Sequence, residues 1–398
     1  MKKLDRQRFD VRMGLLRAAG PYLDQVDMDR VVVAADGEAH FNFDGPNSAQ
    51  YRPAKLLGSI ARGPLAFRRM IAERRPDVVM SFLKGTNLLT WLALGQMRRR
   101  PSWIAREGNN VLEVIREEAP NRLVETMSLG LTRRAYARAD AVLTNSSDMC
   151  EGLVGDLGLD PAKMRMINNP VDLAEITELA DGPISGAPNR PFILSAGRLE
   201  HQKAHDVLIR AYAMSGVWRS HTLVILGKGS LLGPLHRLAA QLGVGEHVQF
   251  IGFVANPYAW MKRADLFVLP SRWEGFPTVA AEAMACGAPL LMTDFRFGIR
   301  DVAIRDESVV VAIDDDAALA AGMAALIGDP HRRARMRAAG RAHVPRFALE
   351  PMLDGYAALF DEIAVAGAAR RGKIPEPVSP VPALLEGAAG ESPAFARE

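Results

Sequence analysis

A chain of 398 residues, 48% hydrophobic and 24% charged, has room for two globular domains and is too balanced for a disordered or fibrous protein. Two cysteines, Cys150 and Cys286, make no disulfide framework and point to a reducing compartment. No apolar run reaches the roughly 18 residues of a membrane span and the N-terminus does not read as a signal peptide, so a cytoplasmic protein is expected.

The net charge of +3 hides an asymmetry. Residues 51–140 hold 17 Lys and Arg against 8 Asp and Glu, and the rest of the chain 32 against 38. Either this region is drawn to an anionic surface, lipid headgroups or a phosphate-linked acceptor, or its arginines solvate ordinary helix faces. Nucleic acid is disfavoured, since aromatics are only 7% and no stacking platform interleaves with the arginines.

In chain order, residues 9–16 and 31–35 read as strands, 54–75 as a helix, 76–81 as a buried strand, 87–99 as a helix and 102–106 as a strand. An Arg-rich helix over 121–139 and strands at 140–146 and 164–170 follow. The polar, Gly/Pro-rich stretch 173–190 is the expected interdomain linker. A second series then places strands near 191–197, 222–226, 247–251, 265–270 and 289–293. Its helices lie near 203–215, 231–242, 278–286, 316–327, 331–342 and 349–364. Strands alternating with helices imply parallel sheets. Residues 366–398, rich in Ala, Gly, Pro and Glu, read as a disordered tail.

Residues 271–290 carry the strongest chemical signal. A buried strand ending at Pro270 runs through a Gly/Pro loop into a small-residue helix from about Thr278. Glu274 and Glu282 flank the helix start. Unpaired N–H groups and the positive end of the helix dipole suit a phosphate there, with Thr278 a plausible N-cap. A second constellation follows the strand that ends at Gly197: Arg198 and Lys203 flank the start of the next helix, and two cations beside a helix N-terminus suit a pyrophosphate.

Other patterns are weaker. His201 and His205 are four apart but lack the Glu of H-E-x-x-H, Asp27 and Asp29 lie in a polar connection, and Asp314–Asp316 read as a helix cap, so no metal site is expected. Gly227-Lys-Gly229 with Gly233 follows a strand, as a tight turn or an imperfect dinucleotide fingerprint. Cys286 reads as packing.

The segments GRLEHQKAHD (197–206), VILGKG (224–229), FIGFV (250–254) and ADLFVLPSRWEGFPTVAAEAMACGAPLL (264–291), with the Glu-x7-Glu pair inside the last, closely resemble the retaining glycosyltransferases of family four. RPDVVMSF (75–82), TNLL (86–89), ADAVLTNSS (139–147) and INNPVD (167–172) are similar more weakly, and Arg106-Glu-Gly-Asn-Asn110 is loosely similar to members working on lipid-linked saccharides. The resemblance implies an α/β, GT-B fold: two Rossmann-like domains whose parallel sheets face a cleft. Residues 1–172 would be the acceptor-side domain, 191–345 the nucleotide-sugar donor domain, and 346–365 a helix crossing back to the first domain.

Relatives usually begin with a strand, a Gly-rich loop and a helix before the segment that opens this chain, so the first βα unit is expected to be missing. Many carry a His in the first domain facing the donor sugar, where this chain has Glu107, Gly108 and Asn109. The family's Lys-Gly reads Lys203-Ala204 here.

The resemblance implies a metal-independent hexosyltransferase without cofactor. It would move a sugar, with retention, from a nucleotide diphosphate (UDP favoured over GDP) to a saccharide or polyprenyl-diphosphate-linked acceptor. That chemistry belongs to cell-envelope polysaccharide or lipopolysaccharide synthesis, at the inner face of the membrane. Arg198 and Lys203 would neutralise the diphosphate with N–H groups near Thr278 and Val279. Glu274 would bind the sugar hydroxyls and Glu282 the ribose diol. Gly197, Gly227, Gly275, Phe276 and Pro277 would line the donor. An inactive transferase-like subunit, a nicotinamide-dependent oxidoreductase on Gly227-Lys-Gly229, and an epimerase or phosphorylase of the same fold are the competing readings.

Overall fold

The structure, a computed structural model, describes residues 3–15, 26–33, 53–370 and 372. It divides into two compact units. The first holds the described residues up to Asn145, Cys150–Ile167 and the last helix from Leu353. The second holds Ser146–Met149 and Asn168–Met352.

In the first unit, β1 (Met13–Leu15) pairs in parallel with β2 (Val31–Val33). α1 (Pro53–Arg74) leads to a four-stranded parallel sheet in sequential order, β3 (Val78–Phe82), β4 (Ser102–Arg106), β5 (Ala141–Thr144) and β6 (Met164–Met166). Between its strands run α2 (Leu83–Gly95), α3 (Val111–Glu118), α4 (Arg122–Ala137) and α5 (Ser147–Leu157). Asn110 and Asn121 start α3 and α4 by accepting the Glu113 and Val124 N–H groups, as short polar side chains do at an N-cap. β4 and β5 are buried almost throughout. Helices on both faces of a parallel sheet leave no wet side, so these strands read as continuous apolar runs.

The second unit opens with α6 (Leu173–Leu179) and alternates strictly thereafter: β7 (Phe192–Ala196), α7 (His205–Ser215), β8 (Thr222–Leu226), α8 (Leu232–Gln241), β9 (Val248–Gly252), α9 (Tyr258–Arg263). It continues with β10 (Leu266–Leu269), α10 (Thr278–Ala285), β11 (Leu290–Thr293), α11 (Ile299–Val302), β12 (Val309–Val311), α12 (Asp316–Gly328) and α13 (Pro330–His343). α14 (Leu349–Arg370) is the last helix among the described residues.

The sheet is parallel, in the order β9-β8-β7-β10-β11-β12. That is the doubly wound 3-2-1-4-5-6 arrangement, and its direction reverses between β7 and β10. Period-two alternation sorts the two cores. Leu194, Phe267 and Met292 face α10 on one side, and Ile193, Leu266 and Leu291 face α7 and α12 on the other.

Several expectations shift. Residues 173–179, taken as linker, form α6, with Asp172 capping it and Ile176 buried; the division falls at Ile167/Asn168. The helix expected to stop near 364 runs to Arg370, into the segment expected to be disordered; residues 373–398 lie outside the described residues, as do residue 16 and residues 34–35 of the expected strands. The helix expected at 87–99 starts at Leu83 and stops at Gly95.

Candidate active site

The strand order decides where a ligand sits in the second unit. In an open α/β sheet ligands bind beyond the carboxyl ends of the strands, where the order reverses. Here that point lies between β7 and β10, so the loop 197–204 after β7 and the loop 270–277 after β10 meet there. These loops carry Arg198, Lys203 and Glu274.

Lys203 sits in a 3-10 turn, His201–Lys203, ahead of α7 rather than on that helix. Ala204, between them, holds φ +48°, the left-handed region that glycine adopts without cost. Lys203 Nζ donates to Glu274 Oε1 at 2.5 Å, both side chains largely buried. Ser271 Oγ donates to the same oxygen at 2.7 Å. The Ser271 carbonyl in turn accepts from Thr293 Oγ1 on β11. Arg198 is exposed, and its guanidinium donates to Gln202 Oε1 at 3.0 Å. Gln202 Nε2 donates to the Trp273 carbonyl, which ties the two loops together. Arg272 braces the same junction by donating to Asp206, Asp314 and the His201 carbonyl.

A third loop closes on the first. Gly227 has φ +136°, and a Cβ there would lie 1.9 Å from the Gly197 carbonyl oxygen. The Leu199 N–H donates to the Lys228 carbonyl, and Glu200 accepts from Ser230 through both carboxylate oxygens. Gly227-Lys-Gly229 therefore serves as the close packing partner of residues 197–200. A dinucleotide fingerprint belongs to the first βα turn of such a unit; Gly227 follows the second strand.

At α10 the N-cap is Pro277, not Thr278. Proline fixes φ near the helical value, which suits the entry. Thr278 is the first helical residue; its N–H donates to the Phe276 carbonyl and its hydroxyl accepts from Asn169. Gly275, Phe276 and Pro277 are buried. A Cβ on Gly298 would meet the Gly275 oxygen at 2.8 Å, and the Gly298 N–H donates to Asp148.

Glu282 lies one helical face further on, half-buried. Burial first, and then the Glu175 carboxylate, push it up to about 7, against a hydrogen bond from Tyr258. Glu274 and Glu282 thus occupy different environments: one is paired with a cation, the other sits beside a second carboxylate.

Of the other candidates, His201 is exposed, its ring 5.7 Å from that of Trp273, whereas His205 is buried and held down to about 3 by burial and by Lys203. Asp315 caps α12. In the first unit Glu107 is 1% exposed. It accepts from Tyr136 Oη at 2.6 Å and from the Gly108 and Asn109 N–H groups. Burial pushes its carboxyl above the ordinary range. Asn87 extends the network from Tyr136 to Ser81 and Trp103. Glu107 therefore braces the loop beyond β4 from below.

The residues missed from the sequence are these supports: Gln202, Ser271, Thr293, Glu200, Gly298 and Asp148. Glu200, Gln202 and Ser271 lie inside matching segments and so carried a local signal; Asp148, Thr293 and Gly298 carried none.

Two family models match, together covering most of the chain: "Glycosyltransferase Family 4" over residues 4–175 and "Glycosyl transferases group 1" over residues 182–343. The chain belongs to the GT-B glycosyltransferases of family four. This family-four chain is 34% identical over 242 residues to the N-acetylgalactosamine-N,N'-diacetylbacillosaminyl-diphospho-undecaprenol 4-alpha-N-acetylgalactosaminyltransferase of Campylobacter jejuni, a match covering 58% of the chain and 64% of that relative. It is 29% identical over 250 residues to the D-inositol 3-phosphate glycosyltransferase of Jonesia denitrificans, covering 58% of the chain and 59% of that relative. Both matches span less than two thirds of the relatives' length. In fold it is similar to Anabaena HepE in complex with UDP-glucose, with a TM-score of 0.69 and 19% identity over 89% of this chain and 93% of that one. Among the described residues no helix of this family-four chain is long and apolar enough to cross a membrane.

Proposed function

We propose that the protein transfers a hexose, with retention, from a nucleoside diphosphate sugar to a saccharide carried on a polyprenyl diphosphate or another lipid, in cell-envelope polysaccharide synthesis. The observation that carries the reading is the meeting of Arg198, Lys203 and Glu274 beside the N-terminus of α10, where the strand order reverses. Cleavage of a sugar–diphosphate bond builds negative charge on the leaving phosphate. Fixed cations and N–H dipoles aimed at that charge are the largest common source of rate. Arg198 and Lys203 supply the cations, and the first turn of α10 around Val279 supplies N–H groups. This arrangement asks for no metal. Glu274, held by Lys203 and Ser271, accepts hydroxyls of the transferred sugar. Glu282 accepts the ribose diol, as a carboxylate can take two donors. The nucleotide is UDP, in keeping with the UDP-glucose named for the Anabaena neighbour. The lipid-linked acceptor is in keeping with the diphospho-undecaprenol substrate named for the Campylobacter relative.

The test is a screen of UDP- and GDP-sugars, scoring release of the nucleoside diphosphate with and without a polyprenyl-diphosphate saccharide and with EDTA throughout. Acceptor-dependent release of UDP in EDTA is expected. Strict dependence on Mg or Mn, or hydride transfer to a nicotinamide cofactor, overturns the reading.

A further inference from the structure

α4 carries an outward face that solvent alone does not explain. At 100° per residue, Leu123, Met127, Leu131, Arg134 and the capping residue Arg138 fall within an arc of about 80°. Thr132 and Tyr136, both 0% exposed, occupy the opposite side. The helix thus packs inward through Thr132 and Tyr136 and turns its apolar stripe away from its own core. Leu123 is 70% exposed, Met127 59%, Leu131 40% and Val124 37%. A helix on the surface of a soluble protein shows charged and polar residues on that side, and several large apolar side chains on one outward stripe mark a contact surface.

The charges on the stripe are of one sign: Arg134 and Arg138 are exposed and lie on it, while the exposed Arg122 and Arg133 lie on the flank between the stripe and the inward side. The acid of the helix, Glu125, is turned toward Arg116, 3.6 Å away. No exposed position of α4 is acidic. The apolar positions fill the first two thirds of the helix, and the arginines cluster at its C-terminal end, with Arg122 at the other. Arginine stems lie along apolar surface while their heads reach a phosphate layer.

We infer that α4 is a docking surface for an anionic lipid bilayer. Leu123, Val124, Met127 and Leu131 enter the headgroup boundary, and Arg134 and Arg138 meet lipid phosphates, as in a helix lying in the interface. The inference deepens the proposed function, since a lipid-linked acceptor requires the enzyme to work at such a surface. It stands on the helix itself, so its test does not depend on activity.

The test uses the full chain with vesicles of phosphatidylcholine alone or mixed with phosphatidylglycerol, read by co-sedimentation at low salt. The wild type should bind the mixed vesicles and leave the neutral ones largely free. L123N/M127N/L131N should weaken binding at least ~10-fold. R134Q/R138Q should weaken it ~30-fold, about 2 kcal/mol at roughly 1 kcal/mol per basic side chain. Both variants should keep the wild-type circular dichroism, because every changed side chain is exposed, and should keep transfer to a water-soluble acceptor. Undiminished binding by the first variant, or equal binding to neutral vesicles, overturns the inference. So does a wild-type dimer that the first variant dissolves, since the stripe would then serve a second copy of the chain. Loss of vesicle binding in the variants of a protein that transfers no sugar would sink the proposed function and leave the docking surface standing.

Discussion

Lys203 Nζ and Glu274 Oε1 are 2.5 Å apart, although 71 residues separate them in the chain. Their strands, β7 and β10, are hydrogen-bonded neighbours, so each side chain leaves the carboxyl end of one strand toward the other. Removing one partner leaves the other buried without its counter-charge, although Glu274 keeps the Ser271 hydroxyl. Lys203→Ala is expected to cost about 3 kcal/mol of stability, and Lys203→Met with Glu274→Gln considerably less. Denaturant titration of the two single variants and the double variant measures the coupling directly.

The same lysine is expected to govern turnover. Lys203→Ala and Arg198→Ala should each lower kcat by at least ~100-fold, the scale of losing one donor to a developing anion. Arg198 is exposed and its guanidinium donates to Gln202 Oε1, so its variant should fold normally, and its loss of rate is the cleaner reading. Near-normal turnover in both would remove them from the chemistry.

Gly227 is fixed by geometry. Its φ of +136° excludes side chains, and a Cβ would overlap the Gly197 carbonyl. Gly227→Ala should cost at least ~3 kcal/mol, visible as a lowered Tm. Gly233, whose nearest neighbour to a Cβ is the mobile end of Arg237 at 3.6 Å, should accept Ala with little change. Comparable stability of the two variants would show that the 197–200 and 227–230 loops are not packed as described.

Glu282 makes stability depend on pH. Its carboxyl is raised from 4.5 to about 7, by burial and then by Glu175. A raised carboxyl binds its proton more tightly in the folded state. Its contribution is therefore full below about pH 4.5 and is lost as pH rises through about 7. Relative to Glu282→Gln, the wild type should lose ~2 kcal/mol over that window. Glu175→Gln should shrink the loss. Urea unfolding of the three proteins across the window provides the measurement, and parallel curves for wild type and Glu282→Gln would refute it.

Tyr136→Phe should cost ~1–2 kcal/mol, since Glu107 keeps two backbone donors but loses the phenol. Glu107→Gln should cost more, because an amide Nε2 placed against N–H groups or the Tyr136 hydroxyl leaves buried donors unmatched. Thermal melts of the two variants, compared with the wild type, rank these costs.

The sequence by itself determined the alternation of strands and helices, the two-unit plan and the stretches that carry Arg198, Lys203, Glu274 and Glu282. Those signals are local: apolar periodicity, Gly and Pro at element ends, and a matching run of residues. It also marked Arg198 and Lys203 as cations near Gly197, but not that Lys203 is spent on Glu274, since strand order decides which distant loops meet. Tertiary structure alone moved the N-cap from Thr278 to Pro277, extended the last helix to Arg370 and turned residues 173–179 into α6. It also separated two carboxylates that look alike in sequence. Glu274 meets an ammonium group, while Glu282 meets Tyr258 and Glu175 from α9 and α6. A side chain's charge state follows from what other elements bring to it, and the linear order of residues carries no record of that neighbourhood.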